Sequence, residues 1–279
     1  MRSISLIALL LTGLLASTIA QPAAAPSLLR DHLLITWYGN PRSTRMGVLG
    51  EQSGALRADA LRRQAAAYAP LTSRRILPAY HLVAVVALST PGADDRWRRR
   101  ETRDVIQTLL DEARANGFRL ILDIQPGRSS VAAEVQALES FLAEPDVDLA
   151  LDPEYGMTDC GVPGRQIGRL HAADVNGALD RLDALITAKR LPPKILIVHQ
   201  FRLDMLPDKS KIRSSALVDV VLVMDGFGSQ TLKRSSYRAV MRQPLAFAGI
   251  KLFYRQDANL FRPSEVLSLI PAPVVVIYQ

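Results

Sequence analysis

The sequence predicts one α/β domain, a TIM-type (β/α)8 barrel that ends on its eighth strand without a final helix. Three observations lead there. Eight short apolar runs alternate with stretches of helical periodicity. Several of those runs are nearly continuous Val, Ile, Leu and Ala, the composition of parallel strands covered on both faces. The eight units fill about 245 residues, the size of such a barrel. An open doubly wound sheet is the rival, but it would leave apolar strands as bare edges, and no Gly-x-Gly-x-x-Gly turn follows the first strand.

The first strand covers residues 33–38 and runs into a loop, 39–50, that contains Gly39, Gly47 and Gly50; a helix follows over about 53–69. The second strand is 79–88. After it comes an arginine-rich segment, 96–100, read as a solvated loop, and a helix over about 102–115 closed by Asn116-Gly117. The third strand, 118–125, turns at Pro126-Gly127, and Ser129 or Ser130 caps a helix that runs to Leu142. The fourth strand, with Leu149, Ala150 and Leu151, carries Asp152 and Glu154 at its end; Pro153 between them has no N–H for a ladder, so the sheet stops there. A glycine-rich loop leads to a helix over about 172–189, which ends before Pro192-Pro193 and the fifth strand, 194–201. Residues 202–217 have weaker periodicity with room for one short helix. The sixth strand, 218–225, turns at Gly226-Phe227-Gly228 into a helix over about 230–242; strand seven is 249–254, a helix lies near 263–269, and strand eight is 274–279.

At the N-terminus, Arg2, the apolar stretch 4–15 and the small-residue ending Ser17-Thr18-Ile19-Ala20 have the order of a cleavable secretory signal. The expected organisation is a signal peptide over 1–20, a flexible leader over 21–30 and the barrel over 31–279. The mature chain is therefore expected to be exported, periplasmic or extracellular, without stable membrane insertion, since the apolar stretch is too short for a span. Cys160 is the only cysteine, which excludes an intrachain disulfide and a thiolate metal cluster. The balance of 34 basic against 27 acidic residues, net +7, is too modest for a nucleic-acid signature, and no nucleic-acid partner is expected.

Barrels of this kind bind ligands at the C-terminal ends of their strands. Those ends carry Trp37 and Tyr38, Asp123 and Gln125, Asp152 and Glu154, His199 and Gln200, Asp225, Tyr254 and Tyr278. By the period-two alternation of a strand, Asp152 and Glu154 share one face about 6.6 Å apart along the strand, and Asp123 shares a face with Gln125. Two converging carboxylates suit proton transfer: Asp123, Asp152, Glu154 and Asp225 are the catalytic candidates, while Trp37, Tyr38, Gln125, His199, Gln200, Tyr254 and Tyr278 are candidates for binding substrate by hydrogen bonds and ring stacking. The competing roles are structural: loop capping for Asp123, Asp152 and Asp225, an arginine ion pair for Glu154, a satisfied buried histidine for His199, and ordinary core packing for the aromatics. His81, near the start of the second strand, is placed far from the site. The chain lacks His-Glu-x-x-His, Gly-x-Ser-x-Gly, P-loop and Cys-x-x-Cys patterns, and no cofactor or resident metal is expected. A Mg²⁺ or Ca²⁺ site built from Asp123, Asp152, Glu154, His199 and Asp225 stays open as an alternative.

An apolar fourth strand ending in Asp152-Pro153-Glu154 resembles secreted glycoside hydrolases, the chitinase-like and Chalaropsis-type lysozyme families. The resemblance implies that Glu154 is the proton donor, that Asp152 assists it, and that the partner is a polysaccharide or oligosaccharide substrate. It departs from the fuller chitinase pattern at the apolar Leu149, Ala150 and Leu151, and from the lysozyme pattern at Thr36-Trp37-Tyr38. The whole chain is also similar to exported bacterial barrel proteins of unassigned function that share Tyr-Gly-x-Pro, Asp-Pro-Glu, His-Gln-Phe and Asp-Gly-Phe-Gly, here at 38–41, 152–154, 199–201 and 225–228. The expectation is a secreted glycosidase acting on a cell-wall or extracellular polysaccharide by carboxylate acid/base catalysis or by a substrate-assisted route. A non-catalytic carbohydrate-binding barrel and a divalent-metal-dependent hydrolase or lyase are the alternatives.

Overall fold

A computed structural model describes residues 27–157 and 160–279. The signal segment expected over 1–20 and the leader residues 21–26 lie outside the described residues. In chain order the elements are β1 (His32–Gly39), α1 (Gly54–Ala66), β2 (Arg75–Ala87), β3 (Arg98–Arg100), α2 (Arg103–Ala115), β4 (Arg119–Ile124), α3 (Val131–Leu142), β5 (Val147–Leu151), α4 (Ala172–Lys189), β6 (Lys194–Gln200), β7 (Val218–Met224), α5 (Gln230–Val240), β8 (Phe247–Leu252), α6 (Pro263–Leu267) and β9 (Val275–Tyr278).

Leaving aside β3, each strand pairs in parallel with the next, and β1 pairs with both β2 and β9, so eight strands close into a (β/α)8 barrel. Closure explains why the strands read as continuous apolar runs. One face of each packs on helices: Leu33, Leu122, Leu149 and Leu222 meet Leu109, Leu138 and Leu182 in the outer layer. The other face fills the barrel axis, where Leu34, Ile121, Ala150, Ile197, Val221 and Ile277 pack together. Burying one such aliphatic side chain contributes about 1.5–3 kcal/mol, and here both faces contribute.

The helices follow from spacing and caps. In α2, Ile106, Leu109, Leu110 and Ala113 form one buried stripe, with Asp104 in the first turn and Arg114 in the last, matching the helix dipole. Ser130, rather than Ser129, caps α3, its hydroxyl accepting from the Ala133 N–H at 3.2 Å. No helix among the described residues is long and apolar enough to cross a membrane.

The structure differs from the expected elements in three places. β2 begins at Arg75 rather than at 79, because every residue of β1 from His32 onward finds a pairing partner on it. The arginine-rich segment is not a free loop: Arg98–Arg100 pairs antiparallel with Val85, Val86 and Ala87, and Arg98 and Arg100 both grip the buried Glu134 of α3. Leu29, expected in a flexible leader, is fully buried, and its N–H donates to the Asp219 carboxylate at 2.9 Å. Leu29 and a bidentate Arg119–Asp148 pair close the N-terminal end of the barrel, so the open end is the one at the strand C-termini.

Candidate active site

At that open end lies a cavity of about 630 Å³. Its shape begins with the loop after β1. Gly39 and Gly47 have φ of +143° and +122°, values that favour glycine, and a Cβ on Gly39 would stand 2.9 Å from the Met46 carbonyl oxygen. These two positions fold the loop back on the strand end and bring Arg45 and Met46 to the cavity wall.

β5 stops at Leu151, and the chain then turns through a single 3₁₀ turn, Pro153–Tyr155. Asp152 caps it, Oδ1 accepting the Glu154 N–H at 3.1 Å, while Oδ2 accepts from Gln125 Nε2 at 3.4 Å. The expected strand alternation between Asp152 and Glu154 therefore does not hold, because Pro153 ends the strand one residue sooner. Both side chains nonetheless line the cavity, together with Asp225. Burial pushes Asp152 well above the usual carboxylate range, and the charges of Asp123, Asp225 and Glu154 push the same way. Half-buried Glu154 is raised by burial and then by Asp225, against the opposing pull of Lys251 and His199.

Below the cavity floor sits a second group of polar side chains. Asp123 is fully buried between His81 and His199, with Oδ2 at 3.5 Å and 3.6 Å from their Nε2 atoms. His199 Nδ1 in turn faces Asp225 Oδ2 at 3.4 Å. Burial lowers His81 to about 4, so its ring is neutral near pH 7 despite the neighbouring carboxylate. For Asp123 burial acts upward, but His199, His81 and Lys251 outweigh it and hold the group below its ordinary value. Tyr38 stands edge-on to both imidazoles, with ring centres 5.0 Å and 6.1 Å away, and its hydroxyl accepts from Gln125 Nε2 at 3.3 Å.

The expected site residues thus divide. Tyr38, Gln125, Asp152, Glu154 and Asp225 line the cavity, and His199 lies directly beneath it. Asp123 does not line the cavity, which corrects the expectation that it acts directly on substrate; it lies beneath the floor between the two histidines instead. Trp37, Gln200, Tyr254 and Tyr278 are corrections of the same kind, because none lines the cavity. In a strand the neighbour of an inward residue points outward. Hence Tyr38 faces the axis and Trp37 the helices; His199 faces the axis, and Gln200 instead binds Lys209 Nζ and the Arg202 carbonyl at 2.8 Å and 3.0 Å. Tyr278 packs outward, sharing a 2.7 Å hydrogen bond with the buried Tyr68 hydroxyl and stacking on Tyr254 at 5.4 Å.

Two contributors escaped the sequence reading. His81, placed there far from the site, belongs to the Asp123 cluster, because β2 begins early and His81 pairs with Tyr38 near its end. Lys251 lines the cavity from β8, and the available signal was a lysine interrupting the apolar run Gly249-Ile250-Lys251-Leu252. At the rim, Phe227 is 62% exposed and edge-on to Phe253, with centroids 5.8 Å apart.

No protein-family model and no curated protein matches this sequence. Among solved structures the chain is similar to a GH18 chitinase from Pseudoalteromonas aurantia, at 11% identity and a TM-score of 0.42, over 88% of this chain and 93% of that one. It is also similar to an endo-beta-N-acetylglucosaminidase from Cordyceps militaris in apo form, at 12% identity and a TM-score of 0.38, over 94% and 87% of the two chains. A hyperthermophilic endo-beta-1,4-glucanase in complex with substrate matches at 8% identity and a TM-score of 0.39, over 73% and 77%. Likeness at this level says nothing about the site; the barrel stands on its own strand pairing.

Proposed function

We propose that this chain is an exported glycoside hydrolase that cleaves a cell-wall or extracellular polysaccharide, with Glu154 as the proton donor. One observation carries the reading: Glu154, Asp152 and Asp225 share a single cavity in which burial and mutual repulsion raise the proton affinity of Glu154 and Asp152. A carboxyl whose proton affinity is raised is better able to give its proton to the leaving glycosidic oxygen as the C–O bond breaks. Asp152, whose Oδ1 accepts the Glu154 backbone N–H, fixes the turn that carries Glu154 at the cavity.

Asp225 is the carboxylate placed to activate water or to stabilise the positive charge that develops at the sugar carbon. Gln125 and Tyr38 offer hydrogen-bonding groups at the cavity floor, and Phe227 and Phe253 offer apolar ring faces at its rim, which suits the two kinds of surface a sugar presents. A cavity of about 630 Å³ lies within the range of small-ligand sites. Export rests on the charged, apolar and small-residue order of residues 1–20.

The test is release of reducing ends from a panel of bacterial and fungal polysaccharides by the mature chain and its Glu154→Gln variant. Turnover that falls about 10²–10⁴-fold in the variant supports the assignment. Glycan binding of equal strength in both proteins, with no turnover by the parent, would make this a binding barrel instead.

A further inference from the structure

The side chains below the cavity floor have a geometry that carbohydrate cleavage does not use. His81, Asp123 and His199 project inward from β2, β4 and β6. Between the last two strands, the inward residue of β5 paired with Asp123 is Ala150, whose single methyl lets Asp123 and His199 approach each other. All three polar side chains are completely buried, and neither ring nitrogen of either histidine nor either oxygen of Asp123 finds a hydrogen-bond partner among the described residues. A single unpartnered buried polar group already costs about 1–3 kcal/mol, so six together call for an explanation.

We propose that His81, Asp123 and His199 form a binding site for one divalent transition-metal cation of the zinc type, beneath the floor of the cavity. The distances favour it. At 3.5 Å and 3.6 Å the contacts from Asp123 Oδ2 to the two Nε2 atoms are too long for hydrogen bonds. Ligand atoms held at about 2.0–2.1 Å on a tetrahedral ion stand about 3.3–3.4 Å from one another, close to what is found. The three ligand atoms all lie within 4.8 Å of one another.

The donor chemistry narrows the ion. Two imidazoles and one carboxylate select zinc, cobalt or iron(II) over magnesium and calcium, which take oxygen ligands. His199 has a carboxylate behind it: Asp225 Oδ2 stands 3.4 Å from its Nδ1, unbonded here but near enough to supply the hydrogen bond that orients a metal-binding histidine and raises its basicity. Tyr38 flanks both rings and limits their rotation. The nearby cation, Lys251, lies over the Tyr38 ring, 3.4 Å from its centre, and its ammonium makes no ion pair with Asp123. The site extends beyond the glycosidase reading, for its three ligands do not line the cavity and its occupancy is measured without substrate.

The experiment uses the mature chain, stripped with chelator and titrated separately with Co²⁺ and Zn²⁺, with stoichiometry from elemental analysis and coordination from the visible absorption of Co²⁺. One equivalent of either ion, with a Co²⁺ spectrum of nitrogen and oxygen ligation, is expected. His81→Asn and His199→Asn, shown to be folded by circular dichroism, should each weaken binding at least 100-fold. If those variants do not fold, Asp225→Asn decides: it keeps all three ligands, loses the carboxylate behind His199, and should weaken binding about 10–100-fold. Glu154→Gln should bind metal as the parent does, so that loss of glycan turnover and loss of metal are read separately. Absence of stoichiometric uptake by the parent, or uptake unchanged in the histidine or Asp225 variants, overturns the site.

Discussion

The Lys251 ammonium lies 3.4 Å from the centre of the Tyr38 ring, a buried cation on an aromatic face reached from two strands of the barrel. Lys251 is also the main group opposing the upward shifts of Glu154 and Asp152. Replacing it by Met keeps the length and removes the charge. Glu154 then holds its proton to higher pH, and since a general acid works only while protonated, the alkaline limb of kcat/KM should move upward in Lys251→Met. A limb that stayed in place or moved downward would show that Lys251 does not set the proton donor.

Asp152 has the opposite sign from a salt-bridged carboxylate. Its folded-state proton affinity is raised by burial first and by Asp123, Asp225 and Glu154 next. The native state therefore binds more protons than the unfolded chain, and the contribution of this group to stability is full below the ordinary carboxylate value of 3.8 and is lost as pH rises through the raised one. Asp152→Asn removes a group that must either stay protonated or charge in a buried place. Urea unfolding between pH 4 and 8 should show a flatter profile for the variant than for the parent, while the Asn Oδ1 still accepts the Glu154 N–H and keeps the turn.

How much of this was legible depends on period. Strand order and barrel closure were legible because an apolar run buried on both faces leaves few other folds, and the caps of α2 and α3 are local signals. The site was legible only as a set of strand ends. Without the register one cannot say which of two adjacent polar residues faces inward, and so Trp37 and Tyr38, or His199 and Gln200, look equivalent in sequence and are opposite in space. His81 was misplaced because Pro78 suggests a strand start, whereas pairing with β1 continues through it. The pairing of β3 was hidden because its arginines look like solvent residues until Glu134, more than thirty positions away, is brought to Arg98 and Arg100.

That carboxylate supports the third expectation. Glu134 is buried, and its oxygens accept from Arg98 Nε at 2.8 Å and Arg100 Nε at 2.7 Å. Burial alone would raise it, but the bonds from Arg100, Ser129 and Arg98 outweigh burial and hold it below 4.5. A depressed carboxylate contributes stability that is present above the unfolded value and lost as pH falls through the folded one. Glu134→Ala should cost about 1–3 kcal/mol near pH 7, because it leaves the buried Arg98 with the half-exposed Asp94 as its remaining carboxylate partner, and the difference from the parent should shrink in urea titrations below pH 4.5.

Tyr278 separates the corrected site from the expected one. Its hydroxyl meets that of Tyr68 at 2.7 Å in the layer between barrel and helices, and both side chains are almost fully buried. Tyr278→Phe keeps the ring stacked on Tyr254 but leaves the Tyr68 hydroxyl without its partner, at a cost of about 1–3 kcal/mol. Because the ring points away from the cavity, the variant should keep the kcat and KM of the parent at temperatures where both are folded. The paired measurement is the urea midpoint with steady-state kinetics on any polymer the parent cleaves. A raised KM with an unchanged midpoint would return Tyr278 to the substrate and overturn the outward placement, whereas a lowered midpoint with unchanged KM is the outcome the packing requires.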